Sequence, residues 1–462
     1  MKVANRVFDD LKPGDSAEMR RLVTLDDLYV FASASGNYNP MHLPREDGDG
    51  DGTPESIAPG LFVASLVSAV LGTRLPGAGT LYRHQSIDFH DRAHAGDELM
   101  CRVTVMEKRE GGEVVLSTEV RRSADDALIL SGTAVVTAPI ARYEAHDLEL
   151  PGLVVQRHRH FDDLLERAHR LPPLATAVVA PDDVNSLEGM LLAEKEGLIA
   201  PILIGRESDI RAAAKSCGAD ISRFELIDVP GGDKLASARA CGLVHEGRAA
   251  AVMKGHLHTD DLLTPMLDKI DGLRIGRRFT HVFVMDVPGQ PYPVMVTDAA
   301  INIAPDLQAK VDIAQNAIDL ANSLGIEPRV GVLSAVETVN PAIQSSIDAA
   351  ALSKMAERGQ ITGGLVDGPL AMDNAVDLAA AKTKGLQGGV AGRANILVVS
   401  GIDAGNMLAK QLSFISHAEG AGLVLGARVP VILNSRADSA KSRLASCAVA
   451  ALHHAHLTVA PS

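Results

Sequence analysis

Near its C-terminal end the chain reads Pro430-Val-Ile-Leu-Asn434 and then Ser435-Arg436-Ala437-Asp438-Ser439, an apolar run that breaks into hydroxyls and charges before a helical pattern. A strand that turns into a helix presents unbonded backbone N–H groups and the positive end of the helix dipole, and both suit an anion. Arg436 adds a planar fork of donors matched to phosphate oxygens. Ser435 can donate to a developing oxyanion. Asp438 can accept a proton, or cap the helix together with Ser439, and the residues alone leave both roles open.

A second group of reactive side chains lies in Lys254-Gly-His256-Leu-His258-Thr259-Asp-Asp-Leu-Leu-Thr264-Pro265. Two histidines one residue apart, after a strand and beside two aspartates, read as a metal-dependent hydrolase. The remaining histidines, among them His281, His417 and His456, recur at no ligand spacing, which argues against that class. A third group spans Gln360–Leu412, where two apolar runs end in Asp367-Gly368-Pro369 and in Gly401-Ile-Asp403-Ala-Gly405-Asn406. Each run is predicted to be a strand followed by a turn and a helix, the first helix starting at Leu370. In parallel α/β architecture ligands sit at the carboxyl ends of strands, and small turn residues let them approach the backbone. Asp367, Asp403, Asn406 and, further back, Asn302 are therefore candidate binding residues, each equally able to serve as a cap or turn residue.

The elements that must position these groups alternate regularly from Phe161 onward. Strands are predicted at 175–180, 200–204, 249–253, 280–286, 293–297, 329–333 and 429–433, with helices at 186–196, from about 208, and at 306–323. Residues 1 to about 140 follow another plan. Thr24 caps a helix with Leu25, Leu28 and Ala32 on one face, and the apolar stretch from Gly60 to Thr73 reads as a buried central helix. The runs 99–107, 113–120 and 128–136 then form an antiparallel meander, so a curved sheet wrapping the helix is expected, the hotdog arrangement. Asp47-Gly-Asp49-Gly-Asp51-Gly52 imitates the start of a calcium loop, but Ala58 stands where the bidentate glutamate belongs and Pro54 interrupts. A solvated loop is the expectation there, and no metal site is assigned. Residues 141–160, with the Arg157-His-Arg-His160 cluster, read as a linker.

At 462 residues the chain is expected to hold two or three domains. Aromatics make up 3% with no Trp, so cores must be built from Ala, Val, Leu and Ile. The net charge of −14 argues against nucleic acid as a partner while allowing a local basic site. Four scattered cysteines without a CxxC pair fit a reduced compartment, and no apolar run has membrane-spanning length. A soluble cytoplasmic protein is the expectation.

Two resemblances sharpen these readings. Ser35-Gly-Asn37-Tyr-Asn39-Pro40-Met-His42 followed by Ile57-Ala-Pro59-Gly60 resembles the MaoC-like family of R-specific enoyl-CoA hydratases, with Asn37 where the family carries Asp and Pro59 where it commonly carries His. The resemblance implies catalytic positions at Asn37 and His42. An amide cannot take a proton from water, so hydratase activity is in question and a retained acyl-CoA-binding domain is the other reading. DGPLAMDNA from Asp367, VAGRANIL, DAGNMLAKQL from Asp403, TDAAINI from Thr297 and LNSRADS from Leu433 resemble the phosphate acetyl/butyryltransferase family. That resemblance implies a two-lobed α/β domain with an isocitrate-dehydrogenase-like parallel or mixed sheet, following the α+β hotdog domain. The boundaries are 1–140, a linker at 141–160, and 161–462, with lobes at about 161–298 plus 435–462 and about 299–434. It implies short-chain acyl-CoA, inorganic phosphate and acyl phosphate as ligands, coenzyme A as a substrate, no metal or redox cofactor, and a homo-oligomer, dimer or higher. Ser435, Arg436 and Asp438 become catalytic, with Asp438 as acceptor of the thiol proton. Lys254, His258 and Thr259, with Asn302, Asp367, Asp403 and Asn406, become binding residues. Acetyl-specific members have Arg at the position of Thr264, so Lys254 or Arg248 supplies that charge here. The alternatives are the His256/His258 metal hydrolase and an acyl-CoA-binding scaffold.

Overall fold

The computed structural model describes residues 3–145, 155, 158–434 and 438–459. The chain divides into two compact units, Met1–Val155 and Gln156–Ser462.

The first unit is built on β2 (Ser16–Leu22), β3 (Leu81–Phe89), β4 (Glu98–Lys108), β5 (Glu113–Arg122) and β6 (Leu128–Thr137), while β1 (Val3–Ala4) pairs with β7 (Glu144–Ala145). The five-stranded antiparallel sheet has the order β2-β4-β5-β6-β3. The helix Gly60–Thr73 buries Val63, Leu66, Val67, Val70 and Leu71. Against them lie Leu99, Cys101, Val103 and Val105, the alternate residues of β4. This is the hotdog arrangement. Thr24 Oγ1 accepts the Asp27 N–H at 3.1 Å and Asp27 Oδ2 accepts the Thr24 N–H at 2.9 Å, closing a capping box on the helix Leu25–Ser35. The outer strands β2 and β3 carry mostly exposed side chains and therefore no apolar alternation that a sequence pattern would reveal.

The second unit contains β8 (Leu174–Val179), β9 (Ile199–Gly205), β10 (Glu225–Asp228), β11 (Ala251–Lys254), β12 (Thr280–Asp286), β13 (Val294–Thr297), β14 (Arg329–Leu333), β15 (Leu365–Leu370), β16 (Ile396–Val398), β17 (Glu419–Leu425) and β18 (Val431–Ile432). They form one 11-stranded mixed sheet of order β10-β9-β8-β11-β18-β17-β12-β13-β16-β14-β15. The strands from β10 to β18 in that order are parallel, as are those from β13 to β15. Between them the β18–β17, β17–β12 and β12–β13 pairings are antiparallel, so the two parallel blocks point in opposite directions. The sheet thus runs through both expected lobes without a break. One face is covered by a continuous core from the helices Arg159–Ala168, Val184–Lys195, Leu307–Ser323 and Ala440–Val459. On the other face the apolar side chains form two separate cores. One lies beneath the helices Asp233–His245 and Thr259–Met266, the other beneath the helices from Met372 to Phe414.

Some predicted elements change. Asp367-Gly368-Pro369 is part of β15 rather than a turn, because the register with β14 shifts between Gly331 and Leu333 and pairing continues to Leu370. The helix that follows starts at Met372, not Leu370. The expected linker holds β7 and the start of the helix Arg159–Ala168; Arg157 lies outside the described residues. Among the described residues no helix is long and apolar enough to cross a membrane.

The helix Leu307–Ser323 is joined to the helix Gln344–Glu357 by a buried ion pair. Lys310 Nζ lies 2.6 Å from Asp348 Oδ2, and their side chains are 5% and 7% exposed. Asp348 Oδ1 also accepts from Gln344 Nε2 at 2.8 Å. Removing one partner strands a buried charge, at a typical cost of about 3–5 kcal/mol. Asp348→Ala is therefore expected to lower the unfolding free energy of the second unit, read from denaturant titration, by that amount, whereas changing an exposed pair such as Arg170–Glu166 leaves it within about 1 kcal/mol.

Candidate active site

Where the two cores on one sheet face part, a cleft of about 350 Å³ opens over the antiparallel centre of the sheet. Its lining includes Lys254, His258 and Thr259 on one side, Asn406 and Lys410 on the other, and Phe283 and Asn434. Lys254 is the last residue of β11 and is buried, while His258 and Thr259 start the helix Thr259–Met266. Asn406 and Lys410, one turn apart, project from the helix Ile402–Phe414. An adjoining cleft of about 380 Å³ shares Phe283 and Lys410 and adds Phe414, Glu419, Asp438, Ser439 and Ser442.

The wall at Ala300 is fixed by Asp298, a carboxylate buried at the end of β13. Its Oδ1 accepts the N–H groups of Ala300 at 2.9 Å and Ile301 at 3.0 Å; its Oδ2 accepts those of His281 at 3.2 Å and Asn302 at 3.3 Å. Asn302 Nδ2 reaches the same oxygen at 2.6 Å and the Phe279 carbonyl at 2.9 Å. The helix carrying Asn406 approaches this turn through Gly405, where a Cβ would stand 2.6 Å from the Asp298 carbonyl oxygen and 2.9 Å from the Ala299 Cα. Beneath the cleft, the His281 ring meets Phe283 edge-on with centroids 4.4 Å apart, and neither ring nitrogen has a hydrogen-bond partner among the described residues. Burial pushes the His281 pKa down, opposed in part by the Asp298 carboxylate, so the ring is neutral at ordinary pH.

The final helix, Ala440–Val459, is capped by Ser439, whose Oγ accepts the Ser442 N–H at 3.0 Å. Asp438 Oδ2 accepts from Asn434 Nδ2 at 3.3 Å and faces the larger cleft. Ser435 and Arg436 lie outside the described residues.

Of the residues singled out from sequence, the smaller cleft gathers Lys254, His258, Thr259 and Asn406. Asn302 braces the turn at Asp298. Asp403 is exposed in the first turn of its helix, and Asp367 is half-buried on the edge strand β15, its Oδ1 accepting the Gly368 N–H at 2.8 Å. Neither is among the residues lining the two clefts. Lys410, Phe283 and Glu419 carried no local signal. Each gains its place from a helix or strand that only tertiary packing brings to the cleft.

The metal-hydrolase reading of the histidine pair is not supported. His256 Nδ1 engages Asp182 Oδ1 at 3.1 Å, while His258 lines the cleft. Burial raises the Asp182 pKa and His256 opposes that rise. Among the described residues the group of three or more acidic, histidine or cysteine ligand atoms that converges within 4.8 Å is that of Asp47, Asp49, Asp51 and Glu55, in the exposed loop of the first unit.

In the first unit Asn37 Oδ1 accepts the Asn39 N–H at 3.3 Å. His42 Nδ1 is 2.9 Å from the Ile57 carbonyl oxygen. A carbonyl only accepts, so the neutral ring holds its proton on Nδ1 and leaves the Nε2 lone pair available.

Comparison with known proteins accords with both halves. The family described as MaoC like domain matches residues 12–126, and the family described as Phosphate acetyl/butaryl transferase matches residues 233–451. The phosphate acetyltransferase of Rhizobium meliloti is 56% identical over 296 residues, 64% of this chain and 93% of the relative. The phosphate butyryltransferase of Clostridium beijerinckii is 41% identical over 295 residues, 64% of this chain and 97% of the relative. The crystal structure of a branched-chain phosphotransacylase from Enterococcus faecalis V583 is similar at 29% identity with a TM-score of 0.53, covering 61% of this chain and 99% of its own. With its two clefts over the antiparallel centre of a mixed sheet, and a MaoC-like domain ahead of it, the second unit places this chain in the phosphate acetyl/butyryltransferase family.

Proposed function

We propose that the second unit interconverts a short-chain acyl-CoA and inorganic phosphate with acyl phosphate and coenzyme A. The observation that carries this reading is the convergence of Lys254, His258, Thr259, Asn406 and Lys410 on one cleft in a strongly acidic chain. Two ammonium groups and a helix N-terminus there suit a phosphoryl group. In the thioester-forming direction the coenzyme A thiol loses its proton and the sulfur attacks the carbonyl carbon of the acyl phosphate. The C–S bond forms, the C–O bond to phosphate breaks, and phosphate leaves with the electron pair. Holding both substrates in one site supplies a large part of such a rate enhancement, and donors to the developing charge supply much of the rest. Lys254 and Lys410 bear the phosphate charge, Ser435 donates to the carbonyl oxygen as it becomes an oxyanion, and Arg436 holds the leaving phosphate. Asp438 is a candidate acceptor of the thiol proton. Asn302 supports the site through Asp298. In this reading residues 161–298 with 435–462 form one lobe and 299–434 the other, in a cytoplasmic homo-oligomer. The relatives' names include both acetyl and butyryl transfer, so the acyl group proposed is short, with its length open to measurement.

The full chain is expected to release free thiol from acetyl-, propionyl- or butyryl-CoA only when phosphate or arsenate is added. Thiol release independent of phosphate and abolished by a chelator would overturn the reading. Arg436→Ala is expected to raise the phosphate KM and lower kcat by about two orders of magnitude or more, with little rescue by Arg436→Lys, because one point charge replaces a planar fork. Lys410→Met is expected to raise the phosphate KM at least tenfold.

We further propose that the first unit binds acyl-CoA but hydrates an enoyl thioester slowly. Asn37 offers no base, and its Oδ1 accepts a backbone N–H instead. Loss of a positioned general base typically lowers a rate by on the order of 10²- to 10⁴-fold. Asn37→Asp, nearly isosteric, is expected to raise crotonyl-CoA hydration at least tenfold, followed as loss of enoyl absorbance, while acyl transfer stays unchanged. A wild type as fast as an ordinary hydratase would show instead that His42 Nε2 suffices as the base.

A further inference from the structure

Glu419 opens β17 and lines the larger cleft. Its Oε2 accepts from Ser442 Oγ at 2.8 Å and lies 3.3 Å from Ser439 Oγ. The two hydroxyl oxygens are 3.2 Å apart and sit in the cap and first turn of the final helix. The carboxylate is thus fixed from two directions. Its backbone is paired in the sheet, opposite Asp286 of β12, and its oxygen is tied to a capped helix. A positioned proton acceptor has to stand on rigid elements in this way.

The cleft around it has a mixed character. Phe283, Ala409, Phe414 and Ala418 supply apolar walls, while Lys410 and Phe283 form the boundary shared with the smaller cleft. In the arrangement proposed below, the phosphoryl group is held beside Lys254 and Lys410, the acyl carbon lies at that boundary and the incoming sulfur lies on the Glu419 side. Asp438 lies in the same compartment, but its Oδ2 takes the Asn434 amide at 3.3 Å.

We propose that Glu419, rather than Asp438, accepts the proton of the coenzyme A thiol, with Ser439 and Ser442 aiming its carboxylate; this rests on the phosphate acyltransferase reading above. The S–H proton moves to the Glu419 carboxylate as the sulfur lone pair forms the C–S bond and phosphate departs. In the reverse direction the protonated Glu419 returns that proton to the departing thiolate, so both directions depend on it.

The test uses the full chain, assayed with acetyl phosphate and coenzyme A by thioester absorbance and with acetyl-CoA and phosphate by thiol release. Glu419→Gln keeps the size of the side chain and an oxygen that accepts from both serines, so a purely structural role survives this change. The expected result is a kcat lower by on the order of 10²-fold or more in both directions. KM values for coenzyme A and acetyl phosphate stay within threefold, and the acidic limb of the kcat–pH profile disappears. Glu419→Asp is expected to retain that limb at reduced kcat. Ser442→Ala removes one of the two hydroxyls that aim the carboxylate and is expected to lower kcat at least fivefold with both KM values unchanged. A Glu419→Gln enzyme within threefold of wild-type kcat, or loss of the acidic limb in Asp438→Asn alone, would overturn the proposal. Should Glu419→Gln melt well below wild type, the Ser442→Ala kcat decides, an unchanged kcat counting against Glu419. A wild type with no phosphate-dependent thiol release would overturn the acyltransferase reading itself, which separates that failure from a failure of Glu419 alone.

Discussion

The buried carboxylate of Asp298 is the constraint on which the site depends. A carboxylate taken out of water costs several kcal/mol unless its oxygens are matched by donors. Here the matching donors are the N–H groups of His281, Ala300, Ile301 and Asn302 and the Asn302 side chain. Satisfying the charge therefore folds the segment after β13 into a tight turn and ties it to the start of β12. The same turn presents Ala300 to the cleft and receives the helix of Asn406 and Lys410 across Gly405. One electrostatic requirement thus fixes the turn against which the lysine-bearing helix packs.

The sheet around that turn explains why a cleft exists at all. Two parallel blocks of opposite direction cannot pair directly as a parallel sheet, and β17 and β12 reconcile them through antiparallel pairings. That junction needs close backbone approach. A Cβ on Gly422 would lie 2.4 Å from the Leu433 carbonyl oxygen and 3.1 Å from His281 Nε2. Small residues in the middle of β17 leave little side-chain volume for a helix to cover. The helices on one face accordingly gather into two groups, and the opposite face carries the continuous core that holds the halves together.

That arrangement also decides what was legible in the sequence. The strands 280–286 and 329–333 and the capped helix 307–323 announce themselves by apolar runs and by Asp306, and they stand where the pattern puts them. β17 does not, because Glu419-Gly-Ala-Gly has the composition of a loop and becomes a strand only between two partners. In the first unit β2 and β3 were hidden for another reason, being largely exposed and so free of a buried apolar alternation. Lys254, His258, Thr259 and Asn406 could be named from motifs. Lys410 and Glu419 could not, since nothing local separates a lysine facing a cleft from one facing water.

The two units differ in how their polar residues are engaged. In the first, the motif is largely closed upon itself. Asn37 holds Asn39, Asn39 holds Met41, and His42 holds Ile57, which fixes the loop and leaves the Nε2 of a single histidine as its proton acceptor. In the second, the polar groups converge across elements far apart in sequence: Lys410 of the helix Ile402–Phe414 shares one cleft with Lys254 of β11 and the adjoining cleft with Glu419 of β17 and the serines of the final helix. A self-satisfied loop is suited to holding a ligand in shape. Moving a proton and an acyl group from phosphate to sulfur needs opposite charges brought close together without neutralising one another, and only a rigid scaffold can keep them so. Among the described residues, the second unit has that scaffold around its clefts.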